Sequence, residues 1–243
     1  MKPILLLQSR PEDDVCDNEF QAISTIGGIE PSRVQRLRME RDELFEVNLD
    51  DYEAIIMGGG PANFANEQTD KSPDQLRYES WLIDLMKRII IADKPFLGMC
   101  LGIGTVSMAL GVKPSFDFSE PVVPMEIVQS QSGPSDPILS GLPNKFFALV
   151  GHKEGIGQVP SGAIELARSS SCVQMLRCGD NVYATQFHPE LDLEGLSIRV
   201  EAYKDHGYFD PGEARALVEL AAGADISHAS TVLKNFVNRY IFD

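Results

Sequence analysis

The fold class is indicated by one segment, Phe96-Leu97-Gly98-Met99-Cys100-Leu101-Gly102. This segment joins an apolar strand to a helix through a glycine-flanked turn. The pattern Gly98-x-Cys100-x-Gly102 is the cysteine form of G-x-S-x-G, in which the nucleophile occupies a strained strand-to-helix turn. Residues 105–110 predict the helix, whose N-terminal end favours a thiolate at Cys100. The segment therefore predicts a nucleophilic cysteine in an α/β fold, and a buried structural cysteine is the alternative.

Short apolar runs alternate with helical patterns along the whole chain, which is typical of α/β proteins. Residues 3–7 and 54–57 predict buried strands. Ser72-Pro73-Asp74-Gln75 predicts the start of a helix, with Ser72 as its N-cap and Gln75 completing a capping box. Five later runs divided by Gly, Pro, Ser and Asn predict hairpins, at residues 122–128, 146–150, 163–167, 173–177 and 182–187.

The C-terminal part is predicted to be helical. We expect one domain over residues 1–243, with a helical extension over about residues 195–243. Asp210-Pro211-Gly212-Glu213 has the composition of a helix start. The last helix presents one apolar face, which predicts a helix docked on the core, with a dimer contact as the alternative; its residues are Val232, Leu233, Phe236, Val237, Tyr240 and Ile241.

Charge and cysteine content limit the classes of partner. The net charge of −15 disfavours nucleic acid and anionic membrane surfaces as partners. The first apolar run is too short for a secretory signal, and no stretch approaches the roughly 20 apolar residues of a membrane span, so we expect a cytoplasmic protein. Three of the four cysteines, Cys16, Cys172 and Cys178, are expected to be buried free thiols.

Thr185-Gln186-Phe187-His188-Pro189-Glu190 ends another predicted strand and supplies a candidate base. A residue before proline favours extended geometry, and residues i and i+2 of an extended chain lie on the same side. Glu190 can therefore hold the imidazole of His188, which is the relation between base and orienting group in a catalytic triad. His152 is the competing base, for which we prefer a role in lining the pocket.

Met57-Gly58-Gly59-Gly60-Pro61 follows a predicted strand and forms a glycine turn. Glycines let the backbone approach a ligand, so we expect this turn to supply part of an oxyanion hole. A phosphate-binding loop is disfavoured, because no Lys-Ser/Thr follows and the G-x-G-x-x-G spacing is missing. A plain tight turn is the remaining alternative.

The glycine turn, the Cys100 turn and Gln186-Phe187-His188-Pro189-Glu190 stand in an order that resembles the class I (triad) glutamine amidotransferases. Within that family the chain looks most like stand-alone relatives of the GMP synthase glutaminase domain, over roughly residues 1–200. The resemblance implies an open, mainly parallel sheet flanked by helices, of the flavodoxin-like three-layer kind. It also implies a triad of Cys100, His188 and Glu190.

The same resemblance implies hydrolysis of a γ-carboxamide through a γ-glutamyl thioester, without a metal or organic cofactor. N–H groups of Gly59 or Gly60 and of Leu101 would hold the oxyanion, with Gly58, Gln186 and His152 also near the substrate. Glutamine or another γ-glutamyl amide would be the substrate, and a separate synthase subunit would accept the ammonia.

One departure from the family pattern concerns the substrate pocket. The family reads G-x-C-x-G-x-Q, whereas this chain has Gly104 at the final position. We therefore expect a vacated volume that a larger γ-glutamyl compound could occupy. A stand-alone γ-glutamyl amide or peptide hydrolase is the alternative function, and a non-catalytic binding module is the second.

Overall fold

The computed structural model describes residues 1–242, which form a layered α/β structure. The strands are β1 (Ile4–Gln8), β2 (Val34–Arg38), β3 (Ile55–Met57), β4 (Phe96–Met99), β5 (Glu120–Gln129), β6 (Lys145–His152), β7 (Ala163–Arg168), β8 (Val173–Cys178) and β9 (Val182–Thr185). The helices are α1 (Asp13–Gly27), α2 (Pro73–Ala92), α3 (Leu101–Ala109), α4 (Leu193–Tyr203), α5 (Ala214–Ala222) and α6 (Ser230–Val237).

The nine strands form one open sheet in the order β2-β1-β3-β4-β9-β8-β7-β5-β6. The first five strands in this order pair in parallel, and the remaining pairs are antiparallel. The predicted fold class, a parallel sheet with a hairpin-rich second half, is confirmed. The three motifs of the predicted site follow β3, β4 and β9 at the carboxyl end of the parallel part, where open α/β sheets bind ligands.

Helices cover both faces of the central parallel strands, which explains why β3, β4 and most of β1 are continuously apolar. Leu5 and Leu7 of β1 point toward α2 and α3, whereas Ile4 and Leu6 point toward α1 and α6. Four residues of α6 are fully buried in the second of these layers, namely Val232, Leu233, Phe236 and Val237. The prediction of a docked terminal helix is therefore confirmed.

The start of α2 matches the prediction only in part. Ser72 Oγ accepts a hydrogen bond from the Gln75 N–H at 3.1 Å, as an N-cap should. The Gln75 side chain does not return to Ser72 and instead donates to the Asn63 carbonyl at 3.0 Å. The capping box is therefore only half formed, because the loop before α2 offers a competing acceptor.

The second half of the chain contains the predicted antiparallel pairs and ends in helices. β5 pairs with β6, and β7 with β8, as antiparallel neighbours. Asp210 caps a short 3-10 turn by accepting from the Gly212 N–H at 2.8 Å, and α5 begins after that turn. Across residues 1–242, every helix is too short or too polar to traverse a lipid bilayer.

Candidate active site

Cys100 lies in a strained turn between β4 and α3. Its φ of 54° and ψ of −88° are a rare combination for a residue with a side chain. The Cys100 N–H donates to the Thr185 carbonyl at 2.8 Å, which ties the turn to β9. A Cβ on Gly98 would lie 2.8 Å from the Gly102 Cα, so the absence of a side chain at Gly98 permits this crowded turn.

His188 reaches Cys100 because β9 lies directly beside β4. The register pairs Met99 with Thr185, so both strands end at the same edge of the sheet. Cys100 and His188 line one cavity. A Cβ placed on Gly59 would lie 2.9 Å from His188 Cε1 and 3.3 Å from Cys100 Cβ, which brings both side chains around this glycine.

Glu190 orients His188 as the spacing predicted. The distance between His188 Nδ1 and Glu190 Oε1 is 2.8 Å, and Glu190 is fully buried. Arg199 Nη1 also lies 3.1 Å from His188 Nδ1. Nδ1 cannot donate to the carboxylate and accept from the guanidinium at the same time. We therefore place a proton on Nδ1, which donates to Glu190 Oε1. Nε2 has no hydrogen-bond partner within residues 1–242 and is therefore the ring nitrogen that can accept a proton.

A buried network of charged side chains supports Glu190, and no local motif indicated it. Arg199 Nη2 donates to Glu190 Oε1 at 2.9 Å and lies 3.8 Å from Glu19 Oε2. Arg10 Nε donates to Glu19 Oε2 at 2.9 Å. One signal was available in the sequence: Arg199 falls on the apolar face of α4, next to Val200, where a charged residue requires a buried partner.

Burial controls the protonation states in the resting site. It raises the pKa of the Cys100 thiol to about 12, although Arg10 opposes this change. It also lowers the pKa of His188, against the pull of Glu190. Burial alone would raise the pKa of Glu190, but His188 and Arg199 outweigh it and hold that pKa well below its usual range. Burial therefore favours a neutral thiol and a neutral imidazole, and it opposes the thiolate that the helix N-terminus was expected to favour.

The glycine turn after β3 has one free backbone donor. The Gly58 N–H donates to the Leu7 carbonyl at 3.0 Å, and the Gly59 N–H donates to Glu19 Oε2 at 3.2 Å. The N–H groups of Gly60 and Leu101 have no acceptor within residues 1–242. Of the two glycines expected as alternative oxyanion donors, Gly59 and Gly60, only Gly60 retains an available N–H within residues 1–242, because the Gly59 N–H bonds to the charged network.

Two cavities meet at Cys100. The first, here the Glu154 cavity, is rich in glycine and is lined by residues that include Gly60, Cys100, Leu101, Gly104, Glu154 and Gln186. The second, here the Arg10 cavity, is lined by Arg10, His188 and Arg199 and by apolar side chains that include Val122, Val200 and Phe209. Gly60, Cys100, Gly151 and Tyr208 contribute to both. Gln186 Nε2 lies 3.9 Å from Cys100 Sγ.

The volume expected beside Gly104 is occupied. A Cβ at Gly104 would lie 2.9 Å from Phe64 Cδ2 and 3.5 Å from Glu154 Oε1. Glu154 is held in this position by the N–H groups of Phe64 and Ala65, at 3.0 and 2.6 Å. The expectation of a vacated pocket at this position is therefore wrong, since a neighbouring aromatic ring fills the space of the missing glutamine.

His152 lies in the wall of the Glu154 cavity, but both of its ring nitrogens are engaged elsewhere. Nδ1 lies 2.8 Å from the Glu154 carbonyl and Nε2 lies 2.9 Å from Glu120 Oε2. Glu120 and Cys172 bring further metal-ligand atoms within 4.8 Å of His152. Ser169 Oγ and Gln174 Nε2 already donate hydrogen bonds to the carboxylate oxygens of Glu120. This cluster therefore fits a structural network better than a metal site.

Comparisons with known proteins agree with this geometry. Residues 19–199 match the family model for glutamine amidotransferase class-I. The GMP synthase (glutamine-hydrolyzing) of Thermomicrobium roseum is 28% identical over 144 residues, which cover 56% of this chain and 23% of the synthase. The chain therefore aligns with less than a quarter of that relative.

A relative of more similar length is one subunit of the GMP synthase (glutamine-hydrolyzing) of Sulfurisphaera tokodaii. It is 29% identical over 160 residues, which cover 63% of this chain and 74% of that relative. A glutamine amidotransferase of Thermotoga maritima has the same fold, with a TM-score of 0.78 at 19% identity and full coverage of both chains. The chain belongs to the glutamine amidotransferase class-I family of enzymes.

Proposed function

We propose that this chain hydrolyses the γ-carboxamide of glutamine through a γ-glutamyl thioester on Cys100. His188 Nε2 removes the thiol proton as sulfur attacks the carboxamide carbon, because neither group is charged at rest. The imidazolium returns the proton to the departing nitrogen, and ammonia leaves. Water then attacks the thioester with His188 again as base, which releases glutamate. The observation that carries this proposal is the 2.8 Å contact between His188 Nδ1 and buried Glu190.

The oxyanion of each tetrahedral intermediate would be held by the N–H groups of Gly60 and Leu101. These two groups line the Glu154 cavity beside Cys100 and lack other acceptors within residues 1–242. One such donor typically supplies about 3–4 kcal/mol of transition-state stabilisation. The γ-glutamyl part of the substrate would therefore occupy the Glu154 cavity, next to Gln186.

The ammonia is proposed to pass to a separate synthase subunit. The relative in Sulfurisphaera tokodaii is named as a subunit of GMP synthase, which supports an arrangement of two chains. The sequence itself contains no P-loop pattern for binding a nucleoside triphosphate. A partner chain would then supply both the acceptor and its activation.

The test is ammonia release from glutamine by the wild type, by Cys100→Ala and by Cys178→Ala. Cys178 is a buried free thiol in β8 and serves as the matched control. We expect release by the wild type and the control but not by Cys100→Ala. Labelling of Cys100 by a glutamine-like diazoketone is measured in parallel, because a partner-gated enzyme retains labelling without turnover. If neither ammonia release nor labelling of Cys100 is observed, the result favours the non-catalytic binding module.

A further inference from the structure

The second cavity at Cys100 has no role in glutamine hydrolysis as proposed above, since ammonia needs no pocket. It encloses about 510 Å³ between its walls, including the space open to solvent. His188 lines this cavity but not the Glu154 cavity. The departing nitrogen must receive its proton from His188, so any substituent on that nitrogen would project into the Arg10 cavity.

Two arginines, Arg10 and Arg199, line this cavity, and Arg10 offers a charged donor beside Cys100. Arg10 is 4% exposed, and it uses Nε for Glu19 and Nη1 for the Tyr203 hydroxyl, at 2.9 Å each. Its Nη2 has no hydrogen-bond acceptor within residues 1–242. A Cβ on Gly59 would lie 2.7 Å from this nitrogen and 3.3 Å from Cys100 Cβ, which places the donor close to the scissile bond.

Apolar side chains form much of the remaining wall, beside Arg199 and two tyrosines. Its aliphatic and aromatic side chains come from β5, β6, α4 and the segments on either side of α4, and they are Val122, Val150, Leu191, Leu196, Val200 and Phe209. A guanidinium nitrogen beside the scissile bond and a hydrocarbon wall beyond it match an amino acid with an apolar side chain. The α-carboxylate of such a leaving group lies two bonds from the departing nitrogen, within reach of a donor beside the scissile bond.

We propose that the same triad also cleaves γ-glutamyl amino acids whose C-terminal residue is apolar. The inference rests on the thioester mechanism of the proposed function. Cys100 Sγ bonds to the γ-carbonyl carbon as the C–N bond breaks, and His188 protonates the released amino acid. Water then hydrolyses the thioester to glutamate, so no oxidant, reductant or other co-reactant is needed. Arg10 is the residue that sets specificity for the carboxylate.

The experiment compares four substrates that separate the two features of the leaving group. γ-Glutamyl-phenylalanine has both features, γ-glutamyl-glycine has the carboxylate, γ-glutamyl-phenethylamide has the ring, and glutamine has neither. We expect the highest kcat/KM for γ-glutamyl-phenylalanine, with about a tenfold advantage from the carboxylate alone. Binding of the same compounds to Cys100→Ala is measured by calorimetry, so that a failure of turnover does not hide the preference.

Two variants assign the features to residues. In Arg10→Lys a single nitrogen replaces the planar guanidinium and cannot reach Glu19, Tyr203 and a carboxylate together, so both carboxylate substrates should lose about tenfold relative to the phenethylamide. In Phe209→Ala the two aromatic substrates should lose activity relative to γ-glutamyl-glycine. An equal loss for all four substrates in both variants would identify merely structural roles and overturn the inference.

The outcomes separate this inference from the proposed function. If glutamine is cleaved in a Cys100-dependent reaction, but γ-glutamyl-phenylalanine is neither cleaved nor bound more tightly, the inference falls and the proposed function stands. If γ-glutamyl-phenylalanine alone is cleaved, the inference stands and the ammonia-transfer role falls.

Discussion

Replacement of Glu190 by glutamine tests the site directly, because it removes one charge from the centre of the buried network with little change in volume. Oε1 of Glu190 accepts from His188 Nδ1 at 2.8 Å and from Arg199 Nη2 at 2.9 Å. His188 becomes a cation during the proposed attack on the carboxamide. The carboxylate of Glu190 stabilises that cation, whereas a neutral amide would leave it beside the positive charge of Arg199.

The size of the effect follows from the short separation of these groups. Two unit charges about 4 Å apart interact by about 4 kcal/mol at the effective dielectric constant of about 20 that describes protein sites. Since about 1.4 kcal/mol corresponds to tenfold in rate, kcat/KM for Glu190→Gln should fall about a thousandfold. Glu190 contributes to neither cavity wall, so KM should change little.

Ammonia release from glutamine measures this loss, with Glu219→Gln as the matched control in an exposed ion pair with Arg215. Circular dichroism verifies that each variant is folded. Adding Arg199→Met to Glu190→Gln removes the repulsion on His188 and should recover about tenfold in rate. A folded Glu190→Gln variant with less than a tenfold loss, or no recovery in the double variant, would refute the electrostatic role of Glu190.

Three further predictions concern the walls of the site. Gly104→Gln should lower the thermal midpoint by overpacking against Phe64, at a cost of about 1–3 kcal/mol, without improving KM for glutamine. Adding Phe64→Ala should restore the midpoint, and a better KM in the single variant would contradict the filled pocket. Alkylation of Cys100 by iodoacetamide should rise about tenfold per pH unit from about pH 6 to about pH 10, because burial raises the pKa of its thiol and the thiolate forms only as pH increases. A plateau below about pH 8 would contradict a neutral resting thiol. His152→Asn should cost about 1–3 kcal/mol of stability but lower diazoketone labelling far less than His188→Asn does, and the reverse order would make His152 the base.

The sequence predicted the parts of the site that depend on local spacing. Cys100 was evident from its flanking glycines, and Glu190 from its position two residues beyond His188. The charged network was not evident, because Arg10, Glu19 and Arg199 come from three separate elements of the fold. Their contacts depend on how those elements pack, which no local pattern encodes.

The prediction of free space beside Gly104 also failed because local sequence does not show distant contacts. The absence of a glutamine suggested free space, but Phe64 lies distant in sequence and fills it. The sequence also could not choose between Gly59 and Gly60 as the oxyanion donor, because that choice depends on the bond between the Gly59 N–H and Glu19. A glycine turn shows where the backbone is accessible, while the surrounding fold decides which N–H groups remain free.

The position of β9 between β4 and β8 has a consequence for how the chain folds during its synthesis. The nucleophile belongs to an early strand, but its base arrives only after all four strands β5 to β8 have been synthesised. Pairing β9 with β4 requires closing a long loop, which is slow relative to local pairing. In pulse-labelled hydrogen exchange during refolding, the backbone amides of β1 and β3 should therefore become protected before those of β9. A ribosome-bound chain that has emerged only as far as β8 carries Cys100 without His188, so the proposed amide cleavage would begin only after β9 and α4 have been synthesised.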